Sequence, residues 1–268
     1  MGTRRSTPER RIGLFVEGTS LLTKRGRDDL MELWRYQCSK VSEFPPDRID
    51  VYGFTKQQIV IMAPAHATMP GTGKIPLDVT IEQKFKDKPF DALIIAFDAH
   101  PANQAIELVE GQPSPCLRIE KDFVLHQLMT SEFLPQQFRD GAAKLLAYYH
   151  VNRGRPRATT RPPIGEVELV YMDPTFEALL LQDEAALRMV FGLKRVPNTW
   201  CAIPHDGDRP DFEIRKIVNG NRKRGPNHLR VQYDAKKHAW AQEILKNASE
   251  NSAIWEHAII QRLKKVLS

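Results

Sequence analysis

Cysteine is scarce in this chain of 268 residues, which contains only Cys38, Cys116 and Cys201. The three are far apart, odd in number and form no Cys-x-x-Cys or Cys/His pair, so neither a disulfide framework nor a structural zinc site is supported. We therefore expect three buried or half-buried thiols in a reducing compartment.

Long hydrophobic runs are also missing. The longest, such as 59–63 and 92–97, fall well short of the roughly 20 residues that a membrane span requires. The basic amino-terminal segment has no apolar stretch of signal-peptide length. Hydrophobic residues nevertheless make up 41% of the chain, enough for a sizeable core. A cytoplasmic globular protein is the expected class, with one elaborated domain or one domain and a small appendage.

A phosphate-binding P-loop is absent as well, although the segment PGTGK invites the comparison. That loop needs a Gly five residues before its final Gly and a Ser or Thr after the Lys. Those positions hold Thr68 and Ile75 here. An ordinary irregular loop is the favoured interpretation.

Positive charge exceeds negative charge by 6, and the pI is about 9.2. The excess is concentrated in two loops, and such loops either clamp nucleic-acid phosphates, with DNA favoured over RNA, or carry ordinary solvated charge. We expect the first loop, about 151–165, to be mobile until something binds it, because it is rich in Pro and Gly. The candidate phosphate-binding residues are Arg153, Arg155, Arg157, Arg161, Arg222, Lys223 and Arg224.

Short apolar runs alternate with helical patterns, which predicts an α/β fold with a mainly parallel sheet flanked by helices. Strands are predicted at IGLFV, IDVYGF with QQIVIMA, DALIIAFD and VELVYM; helices are predicted over 28–41, 119–149, 175–192, 234–247 and 251–267. We expect a disordered tail over 1–10, an α/β domain over 11–203 and a carboxyl-terminal extension over 204–268.

The last predicted helix has one apolar face. At helical spacing this stripe is more typical of packing on the sheet domain, or on a partner, than of cofactor binding. Its residues are Ile254, Trp255, Ala258, Ile259 and Leu263.

Carboxylates follow three of the predicted strands: Glu17, Asp98, and Asp173 with Glu177. Functional groups gather at the carboxyl ends of parallel strands, and carboxylates held close together need a cation or a shared proton. Mg²⁺ or Mn²⁺ suits such ligands and supports phosphodiester chemistry. The alternative is that each is a helix cap or a solvated loop residue, and Asp173, before Pro174, is treated as a cap. Glu177 lies among apolar residues, which favours a paired role for it.

The order of these motifs resembles the Toprim signature. FVEGTS matches its Val-Glu-Gly turn, IIAFDAH matches its Asp-x-Asp, and VELVYMDPTFEALLLQDEAAL resembles a segment of short bacterial Toprim-like proteins related to the RloB-like and OLD-type nucleases. The resemblance spans roughly 11–192 and implies a Toprim-like sheet. It also implies a divalent-metal-dependent nuclease, often associated with an ATPase partner in anti-phage defence.

By the same resemblance, Glu17 is a metal ligand or general acid/base, and Asp98 and Glu177 are metal ligands. The second Asp of Asp-x-Asp is replaced by His100. Imidazole binds Mn²⁺ or transfers protons but is a poor Mg²⁺ ligand. The replacement leaves three alternatives: a preference for Mn²⁺, a single metal, or an inactive site. Two hypotheses follow, a Toprim-type endonuclease with Glu17, Asp98 and His100 as catalytic residues, and a degenerate Toprim module that binds nucleic acid or a partner protein without cutting.

Overall fold

A computed structural model of the chain describes residues 10–18, 24–60, 62, 75–99, 120–151, 165–172, 175–201 and 210–267. Several predictions lie outside these residues: the amino-terminal tail up to residue 9, the PGTGK segment, and almost all of the first basic loop with its four arginines. His100, Cys116 and Asp173 also lie outside them. Cys38 is a buried thiol, as expected.

The described residues form one four-stranded, fully parallel sheet with the order β2-β1-β3-β4. This confirms the predicted α/β fold class. The strands are β1 (Ile12–Glu17), β2 (Ile49–Phe54), β3 (Ala92–Asp98) and β4 (Val167–Met172).

The sheet is covered on both faces, which is why its central strands are continuous apolar runs rather than alternating ones. Successive side chains of a strand point to opposite faces. Leu14 and Val16 therefore pack into one hydrophobic core, while Phe15 between them packs into another. Because apolar side chains lie on both faces of the strands, each face of the sheet requires its own layer of helices.

Helices from both halves of the chain build these two cores. The first core lies under α1 (Lys24–Val41), α6 (Glu177–Leu180), α7 (Glu184–Val190), α9 (Pro210–Asn221), α10 (Lys237–Lys246) and α12 (Ala258–Leu267). The second lies under α2 (Lys56–Val60), α3 (Leu77–Asp87), α4 (Lys121–Thr130) and α5 (Gln136–Val151). Two short helices, α8 (Asn198–Cys201) and α11 (Ala253–Glu256), complete the set, and none of the described helices is long and apolar enough to cross a membrane.

The predicted strand at QQIVIMA is wrong, because its first residues form α2. The cause is a local hydrogen bond at the start of the helix: the Gln58 side chain accepts a hydrogen bond from the Thr55 backbone N–H at 3.0 Å. This bond is one half of a capping box, and it satisfies the backbone donor of the residue that precedes the helix. This local hydrogen bond between Thr55 and Gln58 therefore outweighs the preference of the following apolar run for a strand.

The single helix predicted over 175–192 is interrupted. Its residues form α6 and α7, because the Asp183 side chain accepts a hydrogen bond from Ala186 N–H at 2.8 Å and starts a new helix. The N-cap residue of α6 is Phe176, whose side chain makes no capping hydrogen bond, and the predicted cap Asp173 lies outside the described residues. Gly192, the last residue of the predicted helix, has a φ of 59° just after α7, a backbone conformation in which glycine commonly ends a helix.

The carboxyl-terminal extension packs against the sheet. Ile254, Ile259 and Leu263 of the predicted apolar stripe are fully buried in the first core, with residues of β1 and β3. Arg262 of α12 forms an ion pair with Glu168 of β4, which is itself buried. Helix α9 was not predicted, since its segment was expected to be irregular. Packing on the sheet domain is confirmed for these three residues, whereas Trp255 is partly buried and Ala258 is exposed, because the predicted helix is split into α11 and α12.

Candidate functional site

The strand order places two of the predicted carboxylates next to each other. The chain leaves β1 toward β2 on one side, and β3 and β4 lie on the other side, so β1 and β3 flank the point where the direction of the crossovers reverses. Ligands of open parallel sheets bind outside the carboxyl ends of strands at such a switch point. Glu17 ends β1 and Asp98 ends β3.

Direct hydrogen bonds tie these two strand ends together. The Asp98 backbone N–H donates to Glu17 Oε2 at 3.0 Å. The Asp98 side chain in turn accepts a hydrogen bond at Oδ1 from the Phe176 N–H at 2.8 Å. Lys56 of α2 donates from Nζ to the Asp98 carbonyl at 2.9 Å. The carboxylates are thus held by backbone groups of neighbouring elements.

Glu177, at the start of α6, is buried and paired, as its apolar neighbours suggested. The Lys237 ammonium, from the first residue of α10, lies 2.5 Å from Glu177 Oε1. The Tyr233 hydroxyl donates to the same oxygen at 3.5 Å. The Glu177 side chain is 2% exposed and that of Lys237 is 19% exposed. Glu17 and Asp98, by contrast, keep partial access to solvent.

The pKa values show that the three carboxylates lie within one electrostatic environment. Burial raises the pKa of Asp98 well above its ordinary value, and the charges of Glu17 and Glu177 raise it further. Burial also raises the pKa of Glu17, against the lowering effect of Lys56. Burial raises that of Glu177, but Lys237 outweighs it and the pKa is lowered. The carboxylate at the ion pair is therefore stabilised as an anion, while the other two are not.

The cluster has more negative than positive charge. Three carboxylates, Glu17, Asp98 and Glu177, face the two ammonium groups of Lys56 and Lys237, a formal balance of minus one among the described residues. The pKa of Lys237 is raised despite its burial, with Glu177 as the largest opposing cause, followed by Asp98 and Glu17. Lys237 is thus a cation that the protein itself supplies to the cluster.

The donor chemistry fits a divalent cation at Glu17 and Asp98. Mg²⁺ is commonly held by one or two carboxylates with water and substrate phosphates in the remaining positions. Both residues are partly accessible, and both have raised pKa values, for which burial is the largest cause and neighbouring carboxylates add to the effect. Within the described residues, however, no three Asp, Glu, His or Cys side chains are arranged as a complete ligand set. The fit is to an open two-carboxylate site, not to a closed protein cage.

A small cavity adjoins the two strand ends. Its volume is about 20 Å³, and its lining includes Glu17, Asp98, Lys237 and His238. Space of this size holds about one water molecule. Burial, followed by the charge of Lys237, lowers the pKa of His238 to about 4, so its imidazole is neutral near pH 7. Because the cavity has room for only about one water molecule, a phosphodiester substrate must approach Glu17 and Asp98 from outside it.

Gly18, in the Val-Glu-Gly turn, permits the close approach of two neighbouring elements. A Cβ atom there would lie 3.1 Å from Leu30 Cδ2 and 3.3 Å from His238 Cε1. The glycine thus allows α1 and α10 to pack directly beside Glu17. This gives a structural reason for a small residue in that motif.

The second basic group is described and lies in the carboxyl-terminal extension. Arg222, Lys223 and Arg224 form a short 3₁₀ helix after α9, with Lys223 and Arg224 exposed. Asn219 connects this group to the site. Its carbonyl accepts a hydrogen bond from Arg222 Nη1 at 2.5 Å, and its Oδ1 accepts one at 2.8 Å from the N–H of Tyr233, which reaches Glu177.

The structure therefore brings together Glu17, Asp98 and Glu177 of the sequence-predicted site. Sequence reasoning missed Lys56, Tyr233, Lys237 and His238. Glu177 among apolar residues indicated a partner, but nothing in the segment DAKKHAW distinguishes Lys237 from any surface lysine. Only the packing of α10 against α1 and α6 brings it to the strand ends.

The fold and the site define the class as an α/β protein with a parallel sheet and a carboxylate cluster at its switch point. Comparison with known protein families, with curated proteins and with solved structures found no match for this chain. The resemblance to Toprim proteins therefore stays a prediction from the motifs.

Proposed function

We propose that the chain is a divalent-metal-dependent nuclease of Toprim type, whose metal is held by Glu17 and Asp98. The observation that carries this proposal is the hydrogen-bonded pairing of Glu17 and Asp98, two partly exposed residues at the switch point, in a cluster with a formal balance of minus one. A bound Mg²⁺ or Mn²⁺ would make that balance positive and would supply an activated water and charge stabilisation for the phosphoryl oxygens. An anionic phosphodiester would then be attracted rather than repelled.

The chain's own residues would orient the two carboxylates and would bind the substrate phosphates. The Asp98 N–H and the Phe176 N–H would hold the two carboxylates in place, since each donates to one oxygen, Glu17 Oε2 and Asp98 Oδ1 respectively. Lys56 anchors the end of β3 through the Asp98 carbonyl. Exposed Lys223 and Arg224 would contact backbone phosphates away from the reacting centre.

The test is cleavage of plasmid DNA, single-stranded DNA and RNA in Mg²⁺, in Mn²⁺ and in EDTA. We expect metal-dependent cleavage that falls by at least about 100-fold in Glu17→Gln and in Asp98→Asn, because each removes one charged ligand and keeps the shape. Asp47→Asn is the matched control, since its side chain is 77% exposed. Equal cleavage by all four proteins would place the activity elsewhere or in a contaminant.

A second candidate function is a Toprim module that binds nucleic acid without cutting it. The Glu177–Lys237 ion pair favours this candidate, because it neutralises one predicted metal ligand internally. Binding would then persist in EDTA and would depend on charge alone. We expect replacement of Arg222, Lys223 and Arg224 by Gln to reduce the salt dependence of DNA affinity by up to about three phosphate contacts. Lys246→Gln with Lys264→Gln, two exposed charges on other helices, is the control.

The resemblance further suggests a role in anti-phage defence with an ATPase partner. We infer this from the motifs alone, by analogy. Co-purification of an ATPase with the tagged protein from its native host, and loss of phage protection in Glu17→Gln, would support the role. A protective effect that is unchanged in Glu17→Gln would separate it from the proposed catalytic site.

A further inference from the structure

Lys237 lies where it can balance the charge of the whole carboxylate cluster. Its Nζ is 2.5 Å from Glu177 Oε1, and its electrostatic partners also include Asp98 and Glu17. It is the one cation of the cluster contributed by the carboxyl-terminal extension; Lys56, the other in the described residues, comes from α2 and donates to the Asp98 carbonyl. Lys237 thus pairs with a carboxylate of the cluster, whereas Lys56 holds the backbone at the end of β3.

The backbone that carries Lys237 is fixed by packing. Trp240, Ala241 and Ile244 of the same helix are fully buried in the first core. Helix α10 packs against α1, α6 and α7. Any change in the position of the ammonium must therefore come from rotation of the Lys237 side chain, and not from movement of the helix.

We infer that Lys237 is an internal counter-ion that competes with a divalent metal for the Glu17, Asp98 and Glu177 cluster. The inference rests on the proposed metal site and names the residue that sets its affinity. While Lys237 holds Glu177, a metal meets only the two partly exposed carboxylates. When the ammonium turns away, one repelling positive charge leaves the cluster and the anionic charge of Glu177 is no longer neutralised. The carboxyl-terminal extension would thus set how tightly the site holds its metal.

The experiment measures Mn²⁺ binding by calorimetry and by electron paramagnetic resonance, without substrate. We expect Lys237→Gln to bind Mn²⁺ about tenfold or more tightly than the wild type, because a unit charge a few ångströms away acts strongly in a partly buried site. Lys246→Gln, an exposed lysine at the other end of α10, removes the same charge far from the cluster and should leave the affinity unchanged.

The Lys237→Gln variant leaves Glu177 buried without its partner, which lowers its stability. If that variant does not fold, a second pair of variants, made in a protein that carries Glu177→Gln, keeps the test decisive. Glu177→Gln removes that anion and retains an oxygen for the Tyr233 hydroxyl. In this background, adding Lys237→Gln should again strengthen Mn²⁺ binding. Equal affinity with and without Lys237, in either folded background, would overturn the inference and leave the proposed metal site intact. Absence of Mn²⁺ binding in every variant would overturn both.

Discussion

At the residue scale, the site contrasts with an ordinary ion-pair cluster elsewhere on the same sheet. Asp50 of β2 accepts hydrogen bonds from Lys88 at 2.6 Å and from Arg11 at 2.8 Å. Burial tends to raise the pKa of Asp50, but these two partners outweigh it and the pKa is lowered. Burial raises the pKa of Asp98, the charges of Glu17 and Glu177 raise it further, and Lys237 does not outweigh them. The two aspartates therefore differ in whether nearby cations compensate for burial.

The Asp50 cluster gives a prediction for stability against pH. A lowered folded-state pKa means that the unfolded chain takes up a proton first, so the stabilisation is present above the ordinary Asp pKa of about 3.9 and is lost as pH falls through the folded-state pKa. We expect Asp50→Asn to cost about 1 kcal/mol at pH 7, or roughly 2–4 °C in Tm, and to cost nothing at the acid end.

Thermal unfolding between pH 2.5 and 7 checks this prediction. Asp47→Asn, at a largely exposed position three residues earlier, is the control and should shift Tm little at any pH. A Tm difference between wild type and Asp50→Asn that stays constant over the whole range would contradict the proposed charge pairing.

At the element scale, the approach of Gly225 to α10 is as tight as any glycine contact in the described residues. A Cβ at Gly225 would lie 2.6 Å from Trp240 Cη2, and Trp240 is fully buried. The φ of Gly225 is −70°, so its backbone carries no strain that favours glycine. Any cost of a larger residue must therefore come from the collision with the indole.

We expect Gly225→Ala to destabilise the protein by about 1–3 kcal/mol through overpacking. Gly220→Ala is the matched control: it lies within α9, with nothing within 4 Å of the added Cβ. There the same change should stabilise by roughly 0.5–1 kcal/mol, because alanine loses less backbone entropy in a helix. Chemical denaturation of both variants measures the change in the free energy of unfolding, which should be negative for Gly225→Ala and positive for Gly220→Ala. Equal changes in the two variants would refute the steric argument.

Sequence patterns predicted the strands and helices correctly where burial of apolar side chains was the dominant cause of their formation. The four parallel strands followed from short, mainly apolar runs, and the carboxyl-terminal stripe followed from helical spacing. Failures occurred where a local bond overrode the pattern, at the Thr55–Gln58 hydrogen bond and at the Asp183 cap. The site was half predictable for a related reason: Glu17 and Asp98 follow strands, whereas Lys237 reaches them only through long-range packing.

At the scale of the whole molecule, the last helix is attached to the sheet by a charge as well as by apolar contacts. Arg262 pairs with Glu168 and also donates from Nε to the Leu169 carbonyl at 3.3 Å. The Glu168 side chain is 3% exposed. Burial raises the pKa of Glu168, and Arg262 opposes that rise. Removal of either partner would therefore leave a buried group without its counter-charge.

A double-mutant cycle tests this attachment. We expect Arg262→Met alone to cost about 3–5 kcal/mol, while Arg262→Met with Glu168→Leu should cost far less, because the pair is then replaced by apolar groups. Arg215→Met, which breaks an ion pair with the largely exposed Asp234, is the control and should cost no more than about 1 kcal/mol. Additive single effects in the cycle would show that Arg262 and Glu168 act independently.

The distance along the chain between Glu17 and Lys237 has a consequence for the order of events during synthesis. The two residues are 220 positions apart, since 237 minus 17 is 220. At about 5–20 residues per second, a ribosome needs roughly 10 to 45 seconds to pass from one to the other. From the synthesis of Asp98 until the end of that interval, the nascent chain has both strand-end carboxylates but lacks the ammonium of Lys237. The centre is therefore acquired in a single late event, as the carboxyl-terminal helices emerge and dock.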